Sequence, residues 1–208
     1  MWLISVQPFL PYFLMGFMIF APLKCLFYMS DTIQVRKHWL LTLFWVVTGL
    51  LGGILCAMTK WILVGIKKGG ESQLNWSKGI FSDTIWQAIR TLVGDYFLEI
   101  TSGSFLFRIW MKLMGSEVSW DEGTFIDSMG AVLNPEMVRV DKYGSIGREA
   151  LLFGHIYEGE GGKVKYSKIK IGESSYVGSR VVAMPRVTID NKATVGDLSL
   201  AMKGELVK

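Results

Sequence analysis

The sequence predicts a mixed α and β protein: N-terminal transmembrane helices, then short helices, then a left-handed parallel β-helix of hexapeptide repeats. Three observations carry this. The first 66 residues are almost free of charge, the middle has helical apolar spacing, and the last third repeats every six residues. The boundaries are a membrane segment at 1–66, a linker with amphipathic helices at 67–115, and a β-helix domain at 116–208.

The 208 residues are 50% hydrophobic and only 19% charged, with a mean hydropathy of +0.35. That excludes a disordered chain and argues against an ordinary soluble domain. The net charge is +4, but residues 1–70 hold six basic and one acidic residue, whereas the remainder is nearly balanced. A basic excess confined to the apolar end fits membrane flanks rather than a nucleic-acid surface. The two cysteines, Cys25 and Cys56, exclude a disulfide framework, and no Cys-x-x-Cys zinc pattern exists.

Met1–Leu23 carries no charged side chain and is long enough to cross a bilayer, which takes about 20 residues. Pro8, Pro11 and Pro22 make it an irregular or re-entrant span. It lacks the basic start and small-residue cleavage site of a signal peptide. Trp39–Thr59 is a second uncharged run, flanked by Trp39 and Trp61 and ended by Lys67-Lys68. Gly49, Gly52 and Gly53 would admit a close neighbour, although glycine is common in membrane helices anyway. Four Lys/Arg at 60–78 against three at 24–38 barely separate the two sides, and on that margin residues 67–208 are expected in the cytoplasm.

Phe81, Ile85, Ile89, Leu92, Tyr96 and Ile100 mark one face of a helix. A second helix runs from Phe105 to Met114 and stops at Gly115. Trp86, Phe107 and Trp110 suit either the lipid headgroup region or packing against the next domain.

Ile171, Val177, Ala183, Ile189, Val195 and Ala201 are spaced six apart without a gap. Four residues after each of the first five stand Ser175, Val181, Val187, Ala193 and Ser199, all small or β-branched. One residue after come Gly172, Gly178, Asp190 and Gly196, with Met184 the exception; this position is expected to make the turn. A helix cannot use the pattern, because six residues advance it by about 600°. A half-buried antiparallel strand would alternate every two. A triangular prism of short strands satisfies it, each hexad making one side. An earlier set, Val140, Ile146 and Leu152, is followed after nineteen residues by Ile171, one more than three hexads. The glycine-rich segment between reads as a loop leaving the prism.

The hexads, with Gly196-Asp-Leu-Ser-Leu-Ala-Met-Lys-Gly-Glu205, resemble the C-terminal region of poly-lysine synthetase-like nonribosomal peptide synthetases. Trp61-Ile-Leu-Val-Gly65, Gly103-Ser-Phe-Leu, Glu136-Met-Val-Arg-Val-Asp141 and Gly154-His155-Ile-Tyr-Glu158 fit the same family in order, over residues 55–208. The resemblance implies an acyltransferase of the hexapeptide-repeat class that forms an amide bond from a carrier-bound aminoacyl group. In that family adenylation and carrier domains precede three β-helix domains. This sequence contains neither, and one β-helix, as expected for a tail of a larger protein, a split subunit or a truncated product.

Acyl transfer needs a base and an oxyanion stabiliser. The two histidines are His38, beside the apolar run, and His155, in the glycine-rich excursion. His155 matches the family's histidine and is the expected general base. Glu158 matches too and is expected to orient the imidazole or hold an incoming amine, with Glu160 a second acid. The excursion's glycines offer N–H groups to a thioester carbonyl. The implied donor is a carrier-protein phosphopantetheine or CoA thioester, with no bound cofactor and no metal. Implied partners are the bilayer, a carrier protein, and either two more copies of the chain or a larger synthetase. A non-catalytic β-helix that assembles a partner enzyme is the alternative. Serine-hydrolase, Walker and zinc-protease motifs are absent.

Overall fold

The computed structural model describes Lys24, Tyr28 and residues 37–74, 77–93, 101–127, 133–159 and 162–208. The expected span at 1–23 lies outside the described residues, as do Glu160, Tyr96 and Ile100. Three helices, α1 (Lys37–Leu63), α2 (Lys78–Val93) and α3 (Phe105–Leu113), precede most of the strands. The strands are β1 (Ser72–Leu74), β2 (Glu117–Val118), β3 (Phe125–Ile126), β4 (Val138–Val140), β5 (Ser145–Ile146) and β6 (Leu151–Leu152). They continue as β7 (His155–Glu158), β8 (Lys163–Tyr166), β9 (Ile169–Ile171), β10 (Tyr176–Val177) and β11 (Val182–Ala183). The last are β12 (Thr188–Ile189), β13 (Thr194–Val195), β14 (Leu200–Ala201) and β15 (Leu206–Val207).

Twelve of these strands wind into a three-sided parallel β-helix. One side is β2-β4-β9-β12-β15, the second β3-β5-β10-β13, the third β6-β11-β14. Ile171 pairs with Ile189 and Ile189 with Val207, eighteen residues apart each time, so one coil is three hexads. The residues of the hexad ladder point inward: Ile171, Val177, Ala183, Ile189, Val195 and Ala201 are all buried. Val140, Ile146 and Leu152 are buried beneath them, and Val118 and Ile126 extend the bore one step earlier. Burying each large aliphatic side chain contributes about 1.5–3 kcal/mol.

The corners differ from the sequence expectation. The residue one after each inward position does not supply the left-handed turn. That falls two residues later, on Tyr143, Glu149, Ser174, Arg180, Arg186, Lys192 and Leu198, whose φ values lie between 55° and 67°. For L-residues this costs about 1–2 kcal/mol each. The corner N–H groups then bond to the previous coil: Ser174 to the Lys142 carbonyl, Arg180 to Arg148 and Leu198 to Ser179, each at 2.9 Å. Gly178 serves another purpose. A Cβ there would stand 2.7 Å from the Asp197 amide nitrogen, so glycine admits the next coil.

Val140 pairs with Ile171, thirty-one residues on and thirteen more than a regular coil. The nineteen residues from Leu152 to Ile171 are therefore one six-residue step plus a thirteen-residue insertion, not three hexads plus one. The insertion is not an irregular loop. β7 and β8 form an antiparallel hairpin, and β1, from the segment read as linker, adds as a third strand on β8.

The helices close the start of the prism. Phe107, Trp110, Met111 and Met114 of α3 and its last turn join the same buried cluster as the bore residues, with Trp86 of α2 and Cys56 and Ala57 of α1. Trp86, Phe107 and Trp110 thus pack on the domain rather than reach toward lipid headgroups. Ser104 caps α3, and the end closes with Ser116 N–H bonded to the Met111 carbonyl and Gly115 N–H to that of Lys112. α1 is the one described helix long and apolar enough to cross a membrane, over Val46–Leu63. Its exposed face includes Leu50, Leu51, Ile54 and Ile62, whereas Gly52, Gly53 and Cys56 are buried.

These contacts predict opposite responses at two corners. Gly178→Ala should destabilise by about 1–3 kcal/mol through overpacking. Leu198→Gly, at an exposed left-handed corner, should be neutral or stabilising. Thermal unfolding of both variants in detergent checks the pair; equal losses would refute the corner assignment.

Candidate active site

The hairpin leaves the prism at Gly154. A Cβ there would stand 2.7 Å from the Asn134 Cβ and 2.8 Å from that of Met137. The missing side chain lets β7 press against the short 3₁₀ turn Pro135–Met137 that Asn134 begins. The contact brings the Asn134 side chain, 1% exposed, onto His155: Asn134 Oδ1 lies 2.5 Å from His155 Nδ1. With the amide oxygen accepting, Nδ1 carries the proton and Nε2 keeps its lone pair. Tyr157 meets the imidazole edge-on at 5.8 Å and Tyr166 flanks it at 5.9 Å.

Beneath this lies a buried charged group. Lys67 Nζ is 2.9 Å from Asp83 Oδ2 and donates to the Tyr166 hydroxyl at 2.9 Å. The ammonium also sits 4.3 Å from the centre of the Tyr166 ring. Asp83 Oδ1 is buried without a hydrogen-bond partner. A second buried pair, Lys60 with Glu136 at 3.3 Å, ties α1 to the same 3₁₀ turn. Burial lowers the His155 pKa; the Asp83 carboxylate opposes this and the Lys67 ammonium adds to it. Burial raises the Tyr166 phenol, so it stays protonated.

Glu158 is on the same strand three residues along, which puts it on the opposite face from His155. It is 2.5 Å from Lys203 Nζ and 3.6 Å from Lys165 Nζ, and the Lys203 hydrogen bond and charge lower its pKa. The structure therefore does not join His155 and Glu158; Asn134 holds the position the sequence reading gave to Glu158 as orienter. Glu158 instead lines a cleft of about 410 Å³ with Lys165, Lys168, Arg186, Lys203, Gly69 and Gly70. Lys168 is paired with Glu117 at 2.5 Å, while no described ion pair involves Arg186. His155 is not among the residues lining this cleft. His38 lies in the first turn of α1, away in sequence and fold from the hairpin.

Sequence reading missed Asn134, Lys67, Asp83 and Tyr166. Asn134-Pro135 is a recognisable turn signal, but nothing in its spacing points to His155. Among the described residues no cluster of His, Cys, Asp and Glu suits a metal ion.

No family profile and no curated protein sequence matches the chain. Solved structures similar to it include two acetyltransferases. A maltose O-acetyltransferase from Clostridium difficile 630 shares 12% identity with a TM-score of 0.44, over 64% of this chain and 83% of that one. The native serine acetyltransferase 1 from Entamoeba histolytica shares 10% identity with a TM-score of 0.25, over 89% and 74%. The β-helix assignment rests on the strand pairing of this chain itself.

Two stability effects follow. Because burial lowers the His155 pKa below its unfolded value of about 6.5, the unfolded state binds the proton first as pH falls. Stability should decline as pH drops below about 6.5 and level off below the folded pKa. His155→Gln should flatten that part of the profile, measured by chemical unfolding between neutral and mildly acidic pH. Asp83→Asn leaves the Lys67 ammonium buried without its counter-charge and should cost about 3–5 kcal/mol.

Proposed function

We propose that this protein is a membrane-anchored acyltransferase of the hexapeptide-repeat type, wound left-handed, with His155 as general base. The observation that carries the reading is the Asn134–His155 contact: with the amide oxygen accepting from Nδ1–H, Nε2 is left as the proton acceptor, and burial favours the neutral ring. The substrates are an acyl or aminoacyl thioester and an amine or hydroxyl. Nε2 takes the proton from the attacking amine as its lone pair forms the C–N bond. Backbone N–H groups of the hairpin meet the oxyanion. The C–S bond then breaks, and the imidazolium returns its proton to the thiolate. The basic cleft suits the phosphate of a phosphopantetheine or CoA arm, with Arg186 the lining cation that no described ion pair involves.

α1 anchors the chain in the bilayer, and the β-helix domain lies on the cytoplasmic side. The ordered motifs at 136–141 and 154–158 favour a role in a nonribosomal-peptide-synthetase-like system, with a carrier protein as donor.

A second reading, a non-catalytic assembly module, is favoured by the third side of the prism. Its outward residues Leu151, Val182 and Leu200 form an apolar strip, with Leu198 and Met202 exposed beside it. This strip suits a homotrimer or a mixed assembly with a larger synthetase.

Transfer assays with carrier-bound and CoA-bound acyl groups test the first reading. His155→Ala should lower turnover about 10²–10⁴-fold with the fold intact, and His155→Gln should not restore it. Arg186→Ala should raise KM for the donor and leave turnover nearly unchanged. Full activity in His155→Ala would leave the assembly reading, for which Leu151→Lys with Leu200→Lys should reduce the oligomer seen by light scattering.

A further inference from the structure

A surface helix on a soluble domain hides one face and shows water a polar one. α3 does not. Its buried side, Phe107, Trp110 and Met111, caps the prism. Its other side carries Phe105, Leu106, Ile109, Lys112 and Leu113, which at 100° per residue fall within one arc of about 120°. Phe105, Leu106 and Leu113 are each more than half exposed. Four apolar residues and one lysine therefore face outward on a helix of nine residues.

The position of this face says what covers it. Trp61 Nε1–H, in the last turn of α1, donates to the Leu113 carbonyl at 2.8 Å. The exposed end of α3 thus meets the end of the apolar helix, where Trp61, Ile62 and Ile66 are themselves exposed. At the other end Phe105 packs on the exposed Trp120 at 5.9 Å, and the Lys112 ammonium lies 3.9 Å from the centre of the Trp120 ring. Tryptophan with a lysine stacked on its ring is the chemistry of a headgroup boundary.

We propose that α3 is an interfacial helix, lying in the headgroup–acyl boundary of the leaflet that α1 leaves, with Phe105, Leu106, Ile109 and Leu113 toward the acyl chains and Lys112 toward lipid phosphate. The first coil, which α3 caps and against which α1 packs, thereby rests at the membrane surface. The inference rests on α1 as the anchor, and its test separates the two.

The full chain is reconstituted in nanodiscs of phosphatidylcholine and phosphatidylglycerol containing a lipid with a photoreactive diazirine high on its acyl chain, and adducts are mapped by mass spectrometry. Adducts on α1 test the anchor; adducts on Phe105–Leu113 test the interfacial helix, at a yield several-fold above that on Tyr176 and Thr194 of the prism. Adducts on α1 with none on α3 would overturn the proposal and leave the anchor standing. Absence from both would overturn the anchor and this inference together. Chain-to-chain crosslinks through α3 in place of lipid adducts would assign the face to a second copy and overturn it as well.

Discussion

The narrow bore of the prism governs this molecule. Each side turns one strand side chain inward per coil, with a second, small or β-branched residue buried two positions before it, and the strand chain stacks on the equivalent residue of the next coil. The six-residue period follows from that limit. So do the seven L-residues that, among the described residues, are held in the left-handed region, because the chain must turn sharply at every corner whatever residue stands there. The strain is spread over corners that each recover a hydrogen bond to the neighbouring coil, while burial of the ladder supplies the driving force. Side chains that do not fit the bore have to leave it.

The hairpin is such a departure, and the prism continues past it in register. What holds the departed strands is a small apolar cluster, Val164 and Tyr166 against Met137 and Ile80, together with buried charge. Lys67–Asp83 and Lys60–Glu136 join α1 and α2 to the hairpin and the 3₁₀ turn. Buried ion pairs contribute little net stability once desolvation is counted, but removing one partner is costly. They act here to fix one arrangement of the helices against the coil. The same junction surrounds His155, so α1 and the candidate base share one set of buried contacts.

The bore was legible because its constraint repeats: Ile171 to Ala201 announce themselves at fixed spacing. The corner geometry was not, since a corner accepts Ser174, Arg180 or Leu198 alike and leaves no residue-type signal. The hairpin was read as a loop because β7 and β8 complete their sheet with β1, about ninety residues earlier, and such pairing has no local signature. His155 stood out as one of two histidines. Its orienter did not, because Asn134 reaches it through the space left at Gly154, a tertiary contact across twenty-one positions. Glu158, four letters from Gly154, was the nearer choice in sequence, but strand alternation turns it to the other face.

The central claim is that Asn134 and burial together hold His155 as a neutral imidazole protonated on Nδ1. Nitrogen-15 NMR of the histidine-labelled protein, titrated through the neutral range, reads both properties in one experiment. The account predicts a proton on Nδ1, an unprotonated Nε2, and a midpoint below that of a free histidine, with Asn134→Ala relaxing the tautomer preference. A proton on Nε2, or a midpoint above the free value, would contradict it.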